Sequence, residues 1–270
     1  MGFHHGMSIL TIGDGDFTFS LAVARSLLKR DTAKTTTLVA TSYESKEALE
    51  QIYPNIQQTI DELLALGTKV VFQVDATALK IGLSGHDLFD RIVWNFPCSA
   101  EDDGQDGQNA QMLENKELVR EFTSQAFGML HCNGEICMTH KSKPPFNQWK
   151  LEDCVDSQQY KLMGRIVFDK NCLPPYTPRK AKDRKSFPCH DAVTFVFKKV
   201  GAEKECRFES TIITCDDEDS DLVPITPEII DKVRTLHLSF AQHKASLRKP
   251  MKRKKNCKVR QATKKKKSLN

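Results

Sequence analysis

The chain has 270 residues, of which 39% are hydrophobic and 15 are phenylalanine, enough for one full-sized domain with extensions or for two small domains. No apolar stretch approaches the ~20 residues of a membrane span, and the first residues lack the basic and apolar regions of a signal peptide. We therefore expect a soluble, intracellular protein without a membrane partner. The nine cysteines include no C-x-x-C pair, so we expect no bound metal.

The charge is unevenly distributed along the chain. Residues 244–270 hold 13 Lys or Arg and no acid, whereas the rest of the chain carries 27 basic and 35 acidic residues, a net charge of −8. This basic segment has almost no apolar side chains to bury, so we expect it to be disordered. Such runs bind nucleic acid through its phosphates or act as nuclear and nucleolar addresses, a merely solubilising tail being the alternative. We predict a location in the nucleus and nucleolus, with the cytoplasm as the alternative.

Short apolar runs alternate with helical patterns over the first 200 residues. The predicted strands are residues 8–12, 35–43, 69–74, 91–96, 135–140, 163–168 and 191–197. The predicted helices are residues 17–29, 46–66 with a break before Pro54, 114–130 and 146–156, and a turn is predicted at Asn133-Gly134. This alternation indicates an α/β, Rossmann-like fold: a mainly parallel sheet with helices on both faces, closed by a terminal antiparallel strand pair.

We divide the chain into three parts on composition. Residues 1–200 form the Rossmann-like domain. Residues 201–247 hold an acidic linker and a candidate helix, and residues 248–270 form the basic, disordered tail.

Polar residues follow the strands where each one ends, at the rim where parallel sheets bind ligands. After the first strand comes "GDGDF", which supplies the candidate ligand contacts Gly13, Asp14, Gly15, Asp16 and Phe17. A pyrophosphate site would carry G-x-G-x-x-G, but the third glycine is missing and the two carboxylates repel phosphate. They suit a ligand with an ammonium group and a ribose diol, which favours S-adenosylmethionine over NAD. A plain tight turn is the alternative.

Acidic residues also stand at the ends of the second and third strands. Glu44 is placed to accept both hydrogen bonds of a ribose diol, and Asp75, followed by Ala76, to accept from the exocyclic amine of adenine. The alternative for each carboxylate is a role at a helix N-terminus. Three carboxylates at successive strand ends are less expected as caps together than singly, so we assign them to the methyl-donor site.

The fourth strand ends in "NFP". The carbonyl oxygen of Asn95 can accept from an N–H group, Phe96 can stack on a base, and Pro97 stiffens the loop. The alternative is an ordinary strand end with a buried phenylalanine.

These motifs, with "ATSYES", "FDRIVWNFP", "THKSKPPFNQW" and "SFPCHDAVTFVF", resemble the Rossmann-like family of the yeast large-subunit rRNA uridine-N3 methyltransferase. The resemblance spans residues 9–199 and extends to the plant members often labelled ferredoxin-fold anticodon-binding-like. It implies a class I methyltransferase fold, S-adenosylmethionine as the methyl donor and uridine in ribosomal RNA as the acceptor.

Two residues depart from the pattern of that family. Its donor loop usually reads G-E-G-D-F, so Asp14 replaces a glutamate, and its N-F-P is usually followed by histidine, where this chain has Cys98. The second departure leaves a catalytically degenerate RNA-binding or ribosome-assembly protein as the alternative function. A nucleotide-dependent oxidoreductase is a further alternative, against which the missing third glycine counts.

We expect methyl transfer to N3 of a uridine in large-subunit rRNA, with pre-ribosomal proteins as further candidate partners. His140 is the candidate base, with a structural role as its alternative, and Lys141 is a candidate phosphate contact. A basic loop supplies the other candidate RNA contacts, which are Arg179, Lys180, Lys182, Arg184 and Lys185.

Overall fold

The structure is a computed structural model that describes residues 3–28, 35–86, 88–99, 110–180 and 185–200. The linker, candidate helix and basic tail of residues 201–270 lie outside the described residues, as do Lys182 and Arg184. The division of the chain at residues 200 and 247 therefore stays a prediction.

The described residues form a seven-stranded sheet in the order β3-β2-β1-β4-β5-β7-β6. Its strands are β1 (Ser8–Ile12), β2 (Thr37–Thr41), β3 (Lys69–Val71), β4 (Phe89–Asn95), β5 (Leu130–Lys141), β6 (Tyr160–Val167) and β7 (Ala192–Lys199). Strands β1 to β5 pair in parallel, and β7 is antiparallel to both β5 and β6. The predicted mainly parallel sheet with a terminal antiparallel pair is confirmed.

Helices cover both faces of this sheet. They are α1 (Thr18–Leu27), α2 (Lys46–Ile52), α3 (Ile56–Ala65), α4 (Leu79–Gly82) and α5 (Ala110–Phe127). Alternate side chains of a strand point to opposite faces, so Ile9 packs in a cluster with α1 to α3, and Leu10 in a second one with α4 and α5. None of the helices in the described part of the chain has the length and apolar character required to cross a bilayer.

Local signals in the sequence explain several helix boundaries. The hydroxyl of Ser45 accepts a hydrogen bond from the backbone N–H of Ala48 and caps α2. The predicted break before Pro54 separates α2 from α3. Helix α4 was not predicted, and the helix expected over residues 146–156 consists of two short 3₁₀ turns, Phe146–Trp149 and Leu151–Cys154.

The predicted turn at Asn133-Gly134 is wrong, because both residues lie inside β5. A Cβ atom on Gly134 would lie 2.9 Å from the carbonyl oxygen of Phe89 and 2.8 Å from Cδ2 of Leu130. The glycine therefore permits a close approach of β4 to β5, next to a register shift between Phe89 and Arg91.

A buried carboxylate holds the connection between β1 and α1. Oδ2 of Asp14 accepts hydrogen bonds from the backbone N–H of Ser20 at 2.7 Å and from its hydroxyl at 2.6 Å. The same hydroxyl lies 2.7 Å from Oγ1 of Thr11 in β1. Burial, and then repulsion from the Asp16 carboxylate, raise the pKa of Asp14 to about 7, although the bonds from Ser20 oppose this shift.

We expect Gly134→Ala to lower the free energy of unfolding by about 1 to 3 kcal/mol, because the added methyl group forces β4 and β5 apart. Urea denaturation followed by circular dichroism measures the change. Gly164→Ala in β6 is the matched control, since a Cβ atom there meets no other atom within 4 Å. Equal effects of the two substitutions would contradict the packing argument.

We expect the stability of the protein to depend on pH through Asp14. The pKa of this group rises from 3.8 in the unfolded chain to about 7 in the folded protein, so the folded state keeps a proton that the unfolded state has lost. Its contribution to the free energy of unfolding therefore falls as the pH rises between these values. Asp14→Asn cannot ionise, and its stability relative to the wild type should increase by about 1 to 3 kcal/mol between pH 5 and pH 8. Urea denaturation across this range tests it; a constant difference would show that Asp14 does not titrate in this window.

Candidate functional site

A cavity of about 730 Å³ opens at the carboxyl ends of β1, β2, β4 and β5. It brings together most of the residues that the sequence singled out. The predicted contacts that line it are Gly13, Asp14, Gly15, Asp16, Glu44, Asp75, Ala76, Asn95, Phe96, Pro97, His140, Lys141, Arg179 and Lys180.

Two of the described candidate residues do not line this cavity. Phe17 adopts a left-handed backbone conformation with φ of 57°, and its fully buried ring packs edge-on against Phe72 in the core. Its side chain therefore anchors the loop of residues 13–16, here called the donor loop, to the core and does not line the cavity. Lys185 is exposed and lies outside the lining.

The glycine-rich loop forms one wall of the cavity through Asp16. Oδ1 of this residue accepts hydrogen bonds from the backbone N–H and the hydroxyl of Thr18, at 3.1 and 2.6 Å. Oδ2 lies 3.0 Å from Nε of Arg179, with which it forms an ion pair. The structure therefore places Arg179, a candidate RNA contact, on the carboxylate of the donor loop.

Two further carboxylates line the cavity beyond β2 and β3. Asp75 caps the short turn that follows it, because its Oδ1 accepts from the backbone N–H and the hydroxyl of Thr77, both at 2.8 Å. Asp75 therefore caps this turn through Oδ1, which is the alternative role predicted for it. Glu44 is fixed through its backbone, which bonds to Ser42 and Gln73, while its half-buried carboxylate makes no hydrogen bond or ion pair with the described residues.

Asn95, at the end of β4, lines the cavity, and its side-chain oxygen Oδ1 is buried. Its side chain hydrogen-bonds the hydroxyl of Tyr176, whereas its Oδ1 has no hydrogen-bond partner among the described residues. The next residue, Phe96, has a left-handed φ of 55°, which turns the chain sharply after the strand. Its ring meets those of Phe168 and Phe187 edge-on, at centroid distances of 5.7 and 4.9 Å.

His140, at the end of β5, is held between aromatic rings. Its ring lies 4.4 Å from that of Trp149 and 5.9 Å from that of Phe146, measured between centroids. Burial lowers the pKa of His140 to about 4, so its imidazole is neutral at pH 7. Nε2 is buried without a hydrogen-bond partner in the described part of the chain. A neutral, weakly basic imidazole is better suited to hydrogen bonding than to removing a proton. This favours a structural role for His140 over the role of a base.

The loop between β6 and β7 supplies cavity walls that sequence reasoning missed. Tyr176, Thr177 and Phe187 line the cavity, and the backbone N–H of Thr177 reaches Oγ1 of Thr18 at 3.5 Å. The signal was present in the aromatic residues of "PPYTP" and "SFP", but the positive charge of the loop suggested RNA binding alone. Across the ranges that the structure describes, no group of three or more His, Cys, Asp or Glu side chains is arranged to hold a metal ion.

Comparisons with solved structures give low similarity. TrmN from Thermus thermophilus aligns with 72% of this chain and 44% of its own, at 16% identity and a TM-score of 0.45. The fibrillarin pre-rRNA processing protein of Methanococcus jannaschii aligns with 75% of this chain and 70% of its own, at 14% identity and a TM-score of 0.44. Similarity at this level assigns no substrate.

Sequence comparison identifies nearer relatives in Arabidopsis thaliana. Heavy metal-associated isoprenylated plant protein 41 is 30% identical over 205 residues, which are 74% of this chain and 39% of the relative, so the chain spans less than half the length of that protein. Uncharacterized protein At4g26485 is 31% identical over 195 residues, covering 70% of this chain and 91% of the relative. A family profile described as rRNA (uridine-N3-)-methyltransferase BTM5-like matches residues 10–180. The profile covers more than half of the sequence, and the chain therefore belongs to the BMT5-like family.

Proposed function

We propose that this protein is an S-adenosylmethionine-dependent RNA methyltransferase that methylates N3 of uridine in large-subunit rRNA. The observation that carries the proposal is the composition of a single cavity. Its donor-loop side holds carboxylates, and the ends of β4 and β5 add two buried acceptors, Oδ1 of Asn95 and Nε2 of His140, that have no hydrogen-bond partner among the described residues. The description of the family supplies the uridine N3 specificity.

The donor-loop side of the cavity fits S-adenosylmethionine. Gly13 has a left-handed φ of +60°, and a Cβ atom there would lie 3.1 Å from Nε1 of Trp94, so the turn that carries the carboxylates to the cavity requires glycine at this position. The carboxylate of Asp16 would hold the donor ammonium group, and that of Glu44 the ribose diol. When bound, the donor supplies a methyl group on a positively charged sulfur, which needs no further activation by the protein.

The opposite side of the cavity fits a planar base. Phe96 offers an aromatic surface on which a base can stack, and the oxygen of Asn95 and the nitrogen of His140 can accept hydrogen bonds from an imide N–H. These groups orient the base and keep water from the reacting atoms. A base in folded rRNA has to leave its stack to enter such a cavity.

Ribosomal RNA is the proposed partner, with pre-ribosomal proteins as further candidates and the nucleolus as the proposed location. The basic run of residues 244–270 supports this proposal, because lysine and arginine clusters bind nucleic acid through its phosphates. Lys180 lines the cavity with a positive charge that would attract the same backbone, and Arg179 lines it next to Lys180 while it pairs with Asp16.

The function is tested by mapping N3-methyluridine in large-subunit rRNA from cells with and without the gene. The purified protein is then supplied with radiolabelled S-adenosylmethionine and the unmodified RNA. We expect one uridine to lose its modification in the mutant cells and the purified protein to restore it. Asn95→Ala should lower the rate of transfer roughly 10²-fold, since a hydrogen-bond acceptor that orients the base is lost. Donor binding without transfer to any RNA would support the degenerate alternative that Cys98 suggests.

We expect Glu44→Gln to weaken the binding of S-adenosylhomocysteine by about 10- to 100-fold, because a charged acceptor of the ribose diol is replaced by a neutral one. Isothermal calorimetry measures the affinity. The stability should not change, since the carboxylate makes no contact that the fold requires among the described residues.

Glu47→Gln is the matched control for this substitution. Glu47 lies three residues further along the chain, is exposed, and does not line the cavity, so its replacement should leave the affinity unchanged. Equal affinities for the two variants would remove Glu44 from the donor site.

A further inference from the structure

We propose that Lys141 is a catalytic residue that stabilises the negative charge on the uracil ring once N3 has lost its proton. The inference rests on the proposed function and names the group that makes N3 reactive. It differs from the phosphate contact that the sequence suggested for this lysine.

The ammonium group of Lys141 is held in a defined position by two aromatic rings. Nζ lies 4.3 Å from the centroid of the Phe146 ring and 4.9 Å from that of Phe187. Each ring attracts the charge through its negative face, and the half-buried side chain lines the cavity. The lysine makes no ion pair with a carboxylate in the described ranges, so its charge is not neutralised by a described neighbour.

The position of this charge relates directly to the proposed base-binding surface. The ring of Phe187, which contacts the ammonium group of Lys141, also lies 4.9 Å from the ring of Phe96. Phe96 and Lys141 line the same cavity, so a base that stacks on Phe96 shares that cavity with the ammonium group. His140, the neighbour of Lys141 in β5, lines the same cavity, and its buried Nε2 has no hydrogen-bond partner within the described ranges.

Uridine N3 has no lone pair for attack until it loses a proton. In this step the N3–H bond breaks, its electron pair stays on the base and spreads over N3 and the two carbonyl oxygens, and the proton passes to water. Asn95 cannot take up a proton, and burial lowers the pKa of His140 to about 4, which makes it a poor acceptor. A cation near the anion lowers the cost of ionisation without itself taking the proton.

The other charged groups around the cavity do not replace this lysine. Arg179 forms an ion pair with Asp16 on the donor-loop side, and Lys180 lies beside it in the same loop. Asp191, just before β7, acts electrostatically on His140 and would favour its protonated form, but only as the weakest of the contributions to that pKa. Lys141 is therefore the cation placed at the base-binding end of the cavity.

The test follows ionisation of the base without any methyl donor. Large-subunit rRNA fragments are transcribed with 5-fluorouridine, whose ¹⁹F resonance reports loss of the N3 proton, and are titrated with pH in complex with the wild type and with Lys141→Gln. We expect the bound base to ionise about one to two pH units lower with the wild-type protein. Lys141→Arg keeps the charge and should retain most of this shift. Lys69→Gln is the matched control, since it removes an exposed lysine at the start of β3 that does not line the cavity, and it should leave the ionisation unchanged.

The outcomes separate this inference from the proposed function. An unchanged ionisation pH in Lys141→Gln overturns the inference, even if the variant binds RNA more weakly with a salt dependence reduced by about one phosphate contact. Binding of S-adenosylhomocysteine by each variant, measured by calorimetry, confirms that it is folded. If the wild-type protein forms no complex with the RNA, the proposed function fails and the inference fails with it.

Discussion

The site depends on one geometric constraint, which is that the parallel strands β1, β2, β4 and β5 end at the same level. Their pairing sets this level: Thr11 is aligned with Ala40, Ile12 with Trp94, and Asn95 with Thr139. Polar residues stand at or just beyond these strand ends, among them Asp14, Glu44, Asn95 and His140. The ladder of backbone hydrogen bonds thus brings side chains that are distant in the sequence into one cavity, whose lining runs from Ile12 to Pro188.

Bringing the carboxyl groups of Asp14 and Asp16 together in one loop is electrostatically unfavourable, and the protein reduces this cost in two ways. Burial raises the pKa of Asp14 to about 7, with repulsion from the Asp16 carboxylate as the second cause, so Asp14 stays partly protonated at neutral pH. Asp16 is compensated by the ion pair with Arg179, which comes from a distant loop. A ligand with a positive charge relieves the same repulsion, so the acidity that disfavours the empty loop favours an ammonium group over a phosphate. The chemistry of the donor follows from the charge of the loop more directly than from its glycines.

Local sequence patterns predicted the strands and the polar residues at their carboxyl ends. The features that sequence analysis missed depend on contacts between segments that are distant in the sequence. Strand-length apolar runs and the break before Pro54 are readable from neighbouring residues alone. Gly134 looked like a turn because its real requirement, the approach of the Phe89 carbonyl oxygen, comes from another strand. The ring of Phe17 packs in the core, and the residue has a left-handed φ that is rare for phenylalanine and that the sequence therefore did not predict. The aromatic walls from the loop between β6 and β7 reach the cavity because the antiparallel pair returns the chain there.

Burial of the cavity makes proton removal by a histidine less favourable, and it makes the stabilisation of an anion by a cation more favourable. Withdrawing His140 from water lowers its pKa to about 4, which makes it a poor proton acceptor. Withdrawing a base and an ammonium group from water makes their mutual attraction stronger, because less solvent screens the charges. A cavity of this kind therefore favours a cation that makes the anion stable over a side chain that removes the proton. On this argument, a histidine in place of Cys98 is not required for proton removal, and the departure from the family pattern at that position leaves the proposed chemistry intact.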